Sequence, residues 1–242
     1  MKLFLLLICI VFLFQSAYAQ LSPIEVSIPM RDGKQLAGDL YLPDTNGTYP
    51  TIVIQTPYNK NNFRISGLPL GVKYDIQAAE YAFLVVDWRC YFGSAPACTL
   101  SAQRGEDGYD VIEWAAQQSW SNGKIGTWGP SALGSIQFLT AREQPPHLVC
   151  AVPVVVSPQT YYQKYYPGGS LRIAYFDFVG SYFGLNDLII NNPYQNWLWT
   201  LAENSSMYPD EIEVPMFIIG GWFDHNTDDC ITLFDTLIAS SK

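Results

Sequence analysis

The sequence predicts an α/β domain in which a mostly parallel sheet is covered by helices on both faces. Two observations carry this. Short apolar, β-branched runs (Thr51–Gln55, Ala82–Asp87, Leu148–Val156 and Val214–Gly220) alternate with stretches whose apolar residues recur at helical spacing. The Ala82–Asp87 run is apolar at consecutive positions, the pattern of a strand buried on both faces rather than one with a wet side.

In chain order, Ile24–Pro29 and Gln35–Leu42 form an antiparallel hairpin around the turn Arg31-Asp32-Gly33-Lys34. Pro43–Tyr49 is a turn-rich loop carrying Asn46-Gly47-Thr48, a glycosylation acceptor pattern if the source is eukaryotic. Strand Thr51–Gln55 ends in Thr56-Pro57-Tyr58, and a helix over Val72–Tyr81 leads into strand Ala82–Asp87. Asp107–Gln118 places Val111, Trp114, Ala115 and Gln118 on one face and predicts an amphipathic helix. A central strand then runs up to Gly129, a helix covers Ala132–Arg142, and a strand follows over Leu148–Val156. From Ser157 to Asp210 the pattern breaks into an aromatic, Gly- and Asn-rich stretch of short helical pieces, which reads as an insertion. Strand Val214–Gly220, the turn Gly221-Trp222-Phe223-Asp224 and a helix over about Thr227–Ala239 complete the order.

Lys2 precedes an apolar run from Leu3 to Phe14, followed by Ala17-Tyr18-Ala19 before Gln20. The run is too short for a membrane span and ends in a small-x-small site, so residues 1–19 read as a secretory signal peptide. Residues 20–242 are then one domain of a secreted or periplasmic protein, with no membrane contact expected after cleavage. The formal net charge is −9, and 13 Lys and Arg are scattered among 242 residues, which argues against nucleic acid as a partner. Aromatic residues make up 15% of the chain and charged residues only 14%. That balance calls for a large core, a binding cavity or a covering neighbour. Four cysteines lie beyond the signal segment. Cys90 and Cys98 flank a turn-rich loop and are expected to pair in an oxidising compartment, whereas Cys150, inside an apolar run, is expected to be a buried free thiol. No pair has the CxxC spacing of a zinc site, and no metal or organic cofactor is implied.

Chemistry concentrates in Lys124–Gly134, where a strand ends at Gly129-Pro130 and a helix starts after Ser131. A serine on so sharp a strand-to-helix turn has its hydroxyl held away from the backbone, and the next N–H, that of Ala132, points where the oxygen would attack. That is the geometry of a nucleophile elbow. The same residues also fit an N-capping serine that opens an ordinary helix. Asp224, just past a late apolar strand, sits where the acid of a Ser-His-Asp triad would fall, and equally where a helix N-cap would. Tyr58, at the end of the strand expected beside the nucleophile strand, can point its phenol over Ser131 or simply pack on the surface.

Several segments together resemble the X-Pro dipeptidyl-peptidase-like family, which includes the CocE/NonD hydrolases. They are Met30-Arg31-Asp32-Gly33 with Asp39-Leu40-Tyr41-Leu42-Pro43, Thr56-Pro57-Tyr58 with Lys60, and Gly105-Glu106-Asp107-Gly108-Tyr109-Asp110. Further on come Trp120-Ser121-Asn122-Gly123-Lys124-Ile125-Gly126, Ser131-Ala132-Leu133-Gly134 and Gly220-Gly221-Trp222-Phe223-Asp224. The resemblance runs from about Val26 to Ala239, in order. It implies an α/β-hydrolase fold with a helical cap at about 157–210. It also implies a serine hydrolase acting on ester, amide or X-Pro dipeptidyl substrates, with a small-molecule or short peptide acyl group. Ser131 would be the nucleophile, Asp224 the triad acid, and Tyr58 with the Ala132 N–H the oxyanion donors.

Two positions depart from the family pattern: Ala132 stands where tyrosine is usual, and Arg89-Cys90-Tyr91-Phe92-Gly93-Ser94 replaces an Arg-Gly-x-Gly-like loop. The catalytic histidine, the last strand and the family's C-terminal β-sandwich would fall beyond Lys242. His147 belongs to a loop remote from the elbow. His225 cannot be oriented by its own neighbour Asp224 while also reaching Ser131. The expectation is therefore an incomplete hydrolase domain, inactive alone and missing the C-terminal domain of its full-length chain. The alternative is a non-catalytic binding module on a hydrolase fold.

Overall fold

The computed structural model describes residues 22–68, 80–100, 103–206 and 208–238. The expected signal segment at 1–19 lies outside these residues, as does the expected helix over Val72–Tyr81 apart from its last two positions.

β1 (Ile24–Pro29) and β2 (Gln35–Tyr41) form the expected hairpin, closed by Met30 N–H to the Lys34 carbonyl at 2.9 Å and turned at Gly33 with φ 79°. β3 (Tyr49–Thr56), β4 (Ala82–Asp87), β5 (Ser121–Pro130) and β6 (Leu148–Val154) complete a six-stranded sheet in the order β1-β2-β4-β3-β5-β6. The β4-β3, β3-β5 and β5-β6 pairs are parallel, and the two N-terminal strands pair antiparallel. All six residues of β4 are buried. Leu84 and Val86 face one apolar cluster, with Val111, Ile112 and Phe138, while Phe83 and Val85 face a second, with Ile54, Phe63 and Leu133. Both faces of the sheet are thus covered, as the unbroken apolar run requires.

The helices are α1 (Asn61–Ser66), α2 (Arg104–Ala116), α3 (Ala132–Arg142), α4 (Trp197–Ser206) and α5 (Thr227–Thr236), with further helical segments between Tyr162 and Ile190, among them the π-centred stretch 173–183. Helix α2 begins three residues earlier than its apolar pattern suggests. The extra residues, 104–106, include Gly105, and Gly105 and Gly108 both lie against α3. A Cβ on Gly108 would fall 2.0 Å from Thr140 Oγ1, and one on Gly105 would fall 2.8 Å from the Leu139 carbonyl oxygen. The expected strand Val214–Gly220 is reduced to isolated parallel bridges, Ala151 with Met216 and Val154 with Ile219. Its hydrogen bonds run to β6 alone, through Pro215, Phe217 and Ile219. Cys150 is exposed, contrary to expectation. It sits on β6, whose outer flank is covered only by this thin extended segment. Cys90 and Cys98 are joined, with Cα atoms 4.2 Å apart, and close the loop after β4.

That loop also carries the main charge clamp. Arg89 is 4% exposed; its Nε donates to Asp107 on α2 at 2.8 Å, and its Nη1 donates to Asp32 of the hairpin turn at 2.7 Å and to the Ala97 carbonyl at 3.0 Å. Arg31 makes a parallel link to Asp110, through its backbone N–H at 2.8 Å and its guanidinium at 2.9 and 3.0 Å. Removing Arg89 leaves the buried Asp107 carboxylate without its cation. Arg89→Met should lower the unfolding free energy by about 3 kcal/mol, measured by urea denaturation. A loss below about 1 kcal/mol, the range of exposed pairs, would contradict the clamp.

Candidate active site

Ser131 stands where β5 turns into α3. Its backbone has φ 53° and ψ −123°, a combination outside the allowed regions for an L-residue, and its side chain makes no capping hydrogen bond. An N-capping serine would be extended, with its oxygen on the N–H two or three residues on. Here the Gly134 and Ser135 N–H groups bond instead to the Ser131 carbonyl, at 2.8 and 2.9 Å. Ser131 therefore sits on a sharp, strained strand-to-helix turn and does not cap the helix. Two glycines make room for it. A Cβ on Gly129 would lie 2.4 Å from Leu133 Cβ, and one on Gly134 would lie 2.4 Å from Val156 Cγ1 and 2.8 Å from the Gly129 carbonyl oxygen. Ser131 is exposed, and its hydroxyl has no hydrogen-bond partner among the described residues.

The Ala132 N–H is the first of α3 and donates to nothing among the described residues, as expected for the opening turn of a helix. The Ala132 side chain is buried with Trp88 and Ile136, and Tyr58 packs against this cluster from the turn after β3. The structure therefore brings Ser131, Ala132 and Tyr58 together. The Tyr58 turn is itself strongly fixed. Its N–H donates to Thr56 Oγ1 at 2.9 Å, its carbonyl accepts from Asn62 Nδ2 at 2.7 Å, and Asn59 holds a left-handed φ of 74°.

Asp224 lies at the same end of the sheet, on the loop before α5, and touches none of these three through a hydrogen bond. Its Oδ1 accepts the Asn226 N–H at 2.7 Å. The connection to the elbow runs through β6: Ser131 N–H donates to the Val154 carbonyl at 3.0 Å, and Asn226 Nδ2 donates to the Val155 carbonyl at 3.1 Å. His225 Nδ1 is 3.9 Å from its neighbour Asp224, its Nε2 lies 3.2 Å from Asn226 Nδ2, and its ring packs on Tyr175 at 5.2 Å. Burial holds its imidazole below the usual pKa against the opposing pull of Asp224, so the ring is neutral near pH 7. His147 precedes β6 at the opposite end of the sheet, with its Nδ1 2.7 Å from Glu113. Neither ring reaches Ser131. Among the described residues no group of three or more His, Cys, Asp or Glu side chains is arranged to hold a metal ion.

A family model for the X-Pro dipeptidyl-peptidases matches residues 32–184, more than half of the sequence. The chain belongs to the X-Pro dipeptidyl-peptidase (S15) family. The matched stretch contains Tyr58, Ser131 and Ala132 and stops short of Asp224. The cocaine esterase of Rhodococcus sp. (strain MB1 Bresler) is 31% identical over 150 residues, which is 62% of this chain and 26% of that protein. Among solved structures, a CocE/NonD family hydrolase from Staphylococcus aureus aligns with a TM-score of 0.62 and 23% identity, over 79% of this chain and 39% of that one. An aminopeptidase from a marine sediment Thaumarchaeota archaeon aligns with a TM-score of 0.65 and 18% identity, over 89% and 46%. These likenesses place the chain in the α/β-hydrolase fold. The chain spans about a quarter of the esterase and less than half of either solved chain.

Three residues around the Ser131 turn and its neighbours went unnoticed in the sequence. Gln137 is 1% exposed; its Oε1 accepts from Thr127 Oγ1 at 3.0 Å, and its Nε2 donates to the Leu133 carbonyl at 3.0 Å and to the Gly129 and Val152 carbonyls at 3.4 and 3.3 Å. A glutamine inside the apolar face of α3 was the available signal. Asn226 hides in a turn, and Tyr182, whose hydroxyl donates to the Pro57 carbonyl at 2.5 Å, hides among many aromatics.

Strain at Ser131 has a measurable consequence. Relieving a backbone of this kind is worth roughly 1–3 kcal/mol, and glycine returns about 0.5–1 kcal/mol of that through chain entropy. Ser131→Gly should therefore stabilise the fold by about 1 kcal/mol in a urea melt, where loss of a serine cap would instead weaken it.

Proposed function

We propose that this chain is the elbow-bearing part of a secreted serine hydrolase that transfers acyl groups from small ester, amide or X-Pro dipeptidyl substrates to water. The observation that carries the reading is the strained, uncapped Ser131 beside the undonated Ala132 N–H, with Tyr58 packed alongside. Ser131 Oγ attacks the substrate carbonyl, and the developing oxyanion is held by the Ala132 N–H and the Tyr58 phenol. Asp224 orients the imidazole that takes the serine proton. The segment at about 157–210 acts as a cap that walls the acyl pocket.

The imidazole is the part these residues do not supply, so we assign it to a segment beyond Lys242. The sheet edge supports this assignment. The N–H and carbonyl groups of Met216 and Ile218 make no hydrogen bond among the described residues, and Phe217 beside them is 68% exposed. An extended strand added there would pair those groups, cover the apolar side chain and bring its C-terminal end toward Asp224. Relatives about twice the length of this chain have room for such a strand. The absence of a placed histidine also favours one other reading, a binding module that keeps the pocket without the chemistry.

A fluorophosphonate probe separates the two. Labelling at Ser131 is expected in a form extended through the next histidine-bearing strand and not in the 242-residue chain. No labelling in either form supports the binding module, whereas labelling of the short chain that disappears in His225→Ala would make His225 the base. In the labelling form, Tyr58→Phe should lower kcat by about 10²–10³, and a change of only a few-fold returns Tyr58 to a packing role.

A further inference from the structure

The turn that carries Tyr58 has a carbonyl that, among the described residues, neither the sheet nor the turn itself satisfies. Thr56 passes its carbonyl to the Trp88 N–H at 2.9 Å, and Lys60 gives its N–H to Asp87 Oδ1 at 2.7 Å. The Asn59 and Lys60 carbonyls accept from the Asn62 and Phe63 N–H groups at 3.0 and 3.1 Å. Tyr58 is held at both its N–H and its carbonyl, as described above. Pro57 has no N–H, and among the described residues its carbonyl is bonded only by the hydroxyl of Tyr182, 125 residues away in the segment proposed as the cap. The Tyr182 ring also lies on Tyr58 itself, with centroids 5.4 Å apart and planes tilted by 59°. Next to it, Phe183 packs on Trp88 at 6.4 Å, in the cluster that buries Ala132.

From this geometry we infer that Tyr182 is a positioning residue for the oxyanion site. It fixes the Pro57–Tyr58 peptide from the cap side and holds the Tyr58 ring in place, so that the phenol stands beside the Ala132 N–H only while the 176–183 segment is seated. The inference rests on the hydrolase reading for its chemistry and on the two contacts for its structure. Its effect passes through Tyr58 and not through substrate, so Tyr182→Phe, which keeps the ring and removes the hydroxyl, isolates the bond to Pro57. Tyr182→Ala removes both contacts.

Two measurements decide it. In hydrogen–deuterium exchange of the 242-residue chain, Tyr182→Phe should speed exchange in peptides covering 57–66 by about fivefold, the equivalent of one net hydrogen bond of about 1 kcal/mol, and Tyr182→Ala by more. Peptides from β4 and α3 should be unchanged. Unchanged exchange at 57–66, or a rise spread evenly over the chain, overturns the inference. In whichever form reacts at Ser131, Tyr182→Phe should slow fluorophosphonate labelling about fivefold, and the double variant with Tyr58→Phe should be no slower than Tyr58→Phe alone. Equal slowing in the Tyr58→Phe background would show that Tyr182 acts by another route. If Ser131 reacts in no form, the hydrolase reading fails, and the exchange result still decides whether Tyr182 fixes the turn.

Discussion

A carboxylate with no exposed surface must find its partners inside the protein, and Asp39 is such a group. It is 0% exposed on β2; its Oδ1 accepts Lys60 Nζ at 2.6 Å and Arg64 Nη2 at 2.7 Å, and its Oδ2 accepts Arg64 Nε at 2.6 Å. Burial alone would raise its pKa, but Arg64 and Lys60 together hold it below the usual carboxylate range. Leaving such a charge uncompensated costs several kcal/mol, so the three side chains can adopt essentially one arrangement. Asp87, also 0% exposed, accepts the N–H groups of Lys60 and Gly93 at 2.7 and 3.0 Å. There burial outweighs the hydrogen bonds and the pKa rises. Lys60 is thereby pinned by both backbone and side chain, two residues after Tyr58. The position of the proposed oxyanion donor is set by buried electrostatics in the hairpin and in β4, and only then by its own packing.

This separates the residues that carry the family resemblance into two sorts. Asp39 and Lys60 form the buried hub, Asp32 and Asp107 share Arg89, Arg31 pairs with Asp110, and Gly105 and Gly108 let α2 approach Thr140. None of these touches the elbow. They dock the N-terminal hairpin onto α2 and hold α2 against α3, the helix that Ser131 opens. Thr140 in turn accepts a buried bond from Gln55 of β3 at 3.1 Å, so the helix pair is tied to the strand that ends in the Tyr58 turn. The motifs far from the chemistry thus set the relative placement of the two elements that make it.

What was legible in the sequence follows from which forces leave a local trace. The unbroken apolar run of β4 and the spacing of Leu133 and Ile136 record burial directly, so the sheet and α3 were readable, as was a serine between them. The start of α2 was not, because Gly105 looks like a loop residue while its role depends on Leu139 of α3, a close approach that only the fold reveals. Helix α1 buries Phe63 alone and so lacks any periodicity. Residues 173–183 form a continuous helical stretch whose centre, Phe176–Gly180, is π-wound and so breaks the 3.6-residue repeat, and the other turns between Tyr162 and Ile190 are only three to five residues long. The exposure of Cys150 reflects what covers β6, which the strand's own apolar character could not record.

Strain supplies the remaining link between the two halves of the proposed site. Val155 has φ 48°, a conformation that a β-branched residue adopts only under constraint, and it follows immediately on the residue that bonds the elbow. Its N–H goes to the Ile219 carbonyl at 2.7 Å and its carbonyl receives Asn226 Nδ2, while Val154 holds Ser131. Two consecutive backbone units at the end of β6 therefore support the Ser131 turn on one side and the Asp224 loop on the other. Such strain persists only where several bonds over-determine it, and here three converge on Val154 and Val155. The spacing of Ser131 and Asp224 is accordingly set through main-chain groups and the single buried amide of Asn226. The neighbouring side chains are free of that duty. Trp222 and Phe223 are 81% and 99% exposed beside Asp224. Their identities can follow whatever packs over this end of the sheet, while the acid beside them stays where the strained strand end puts it.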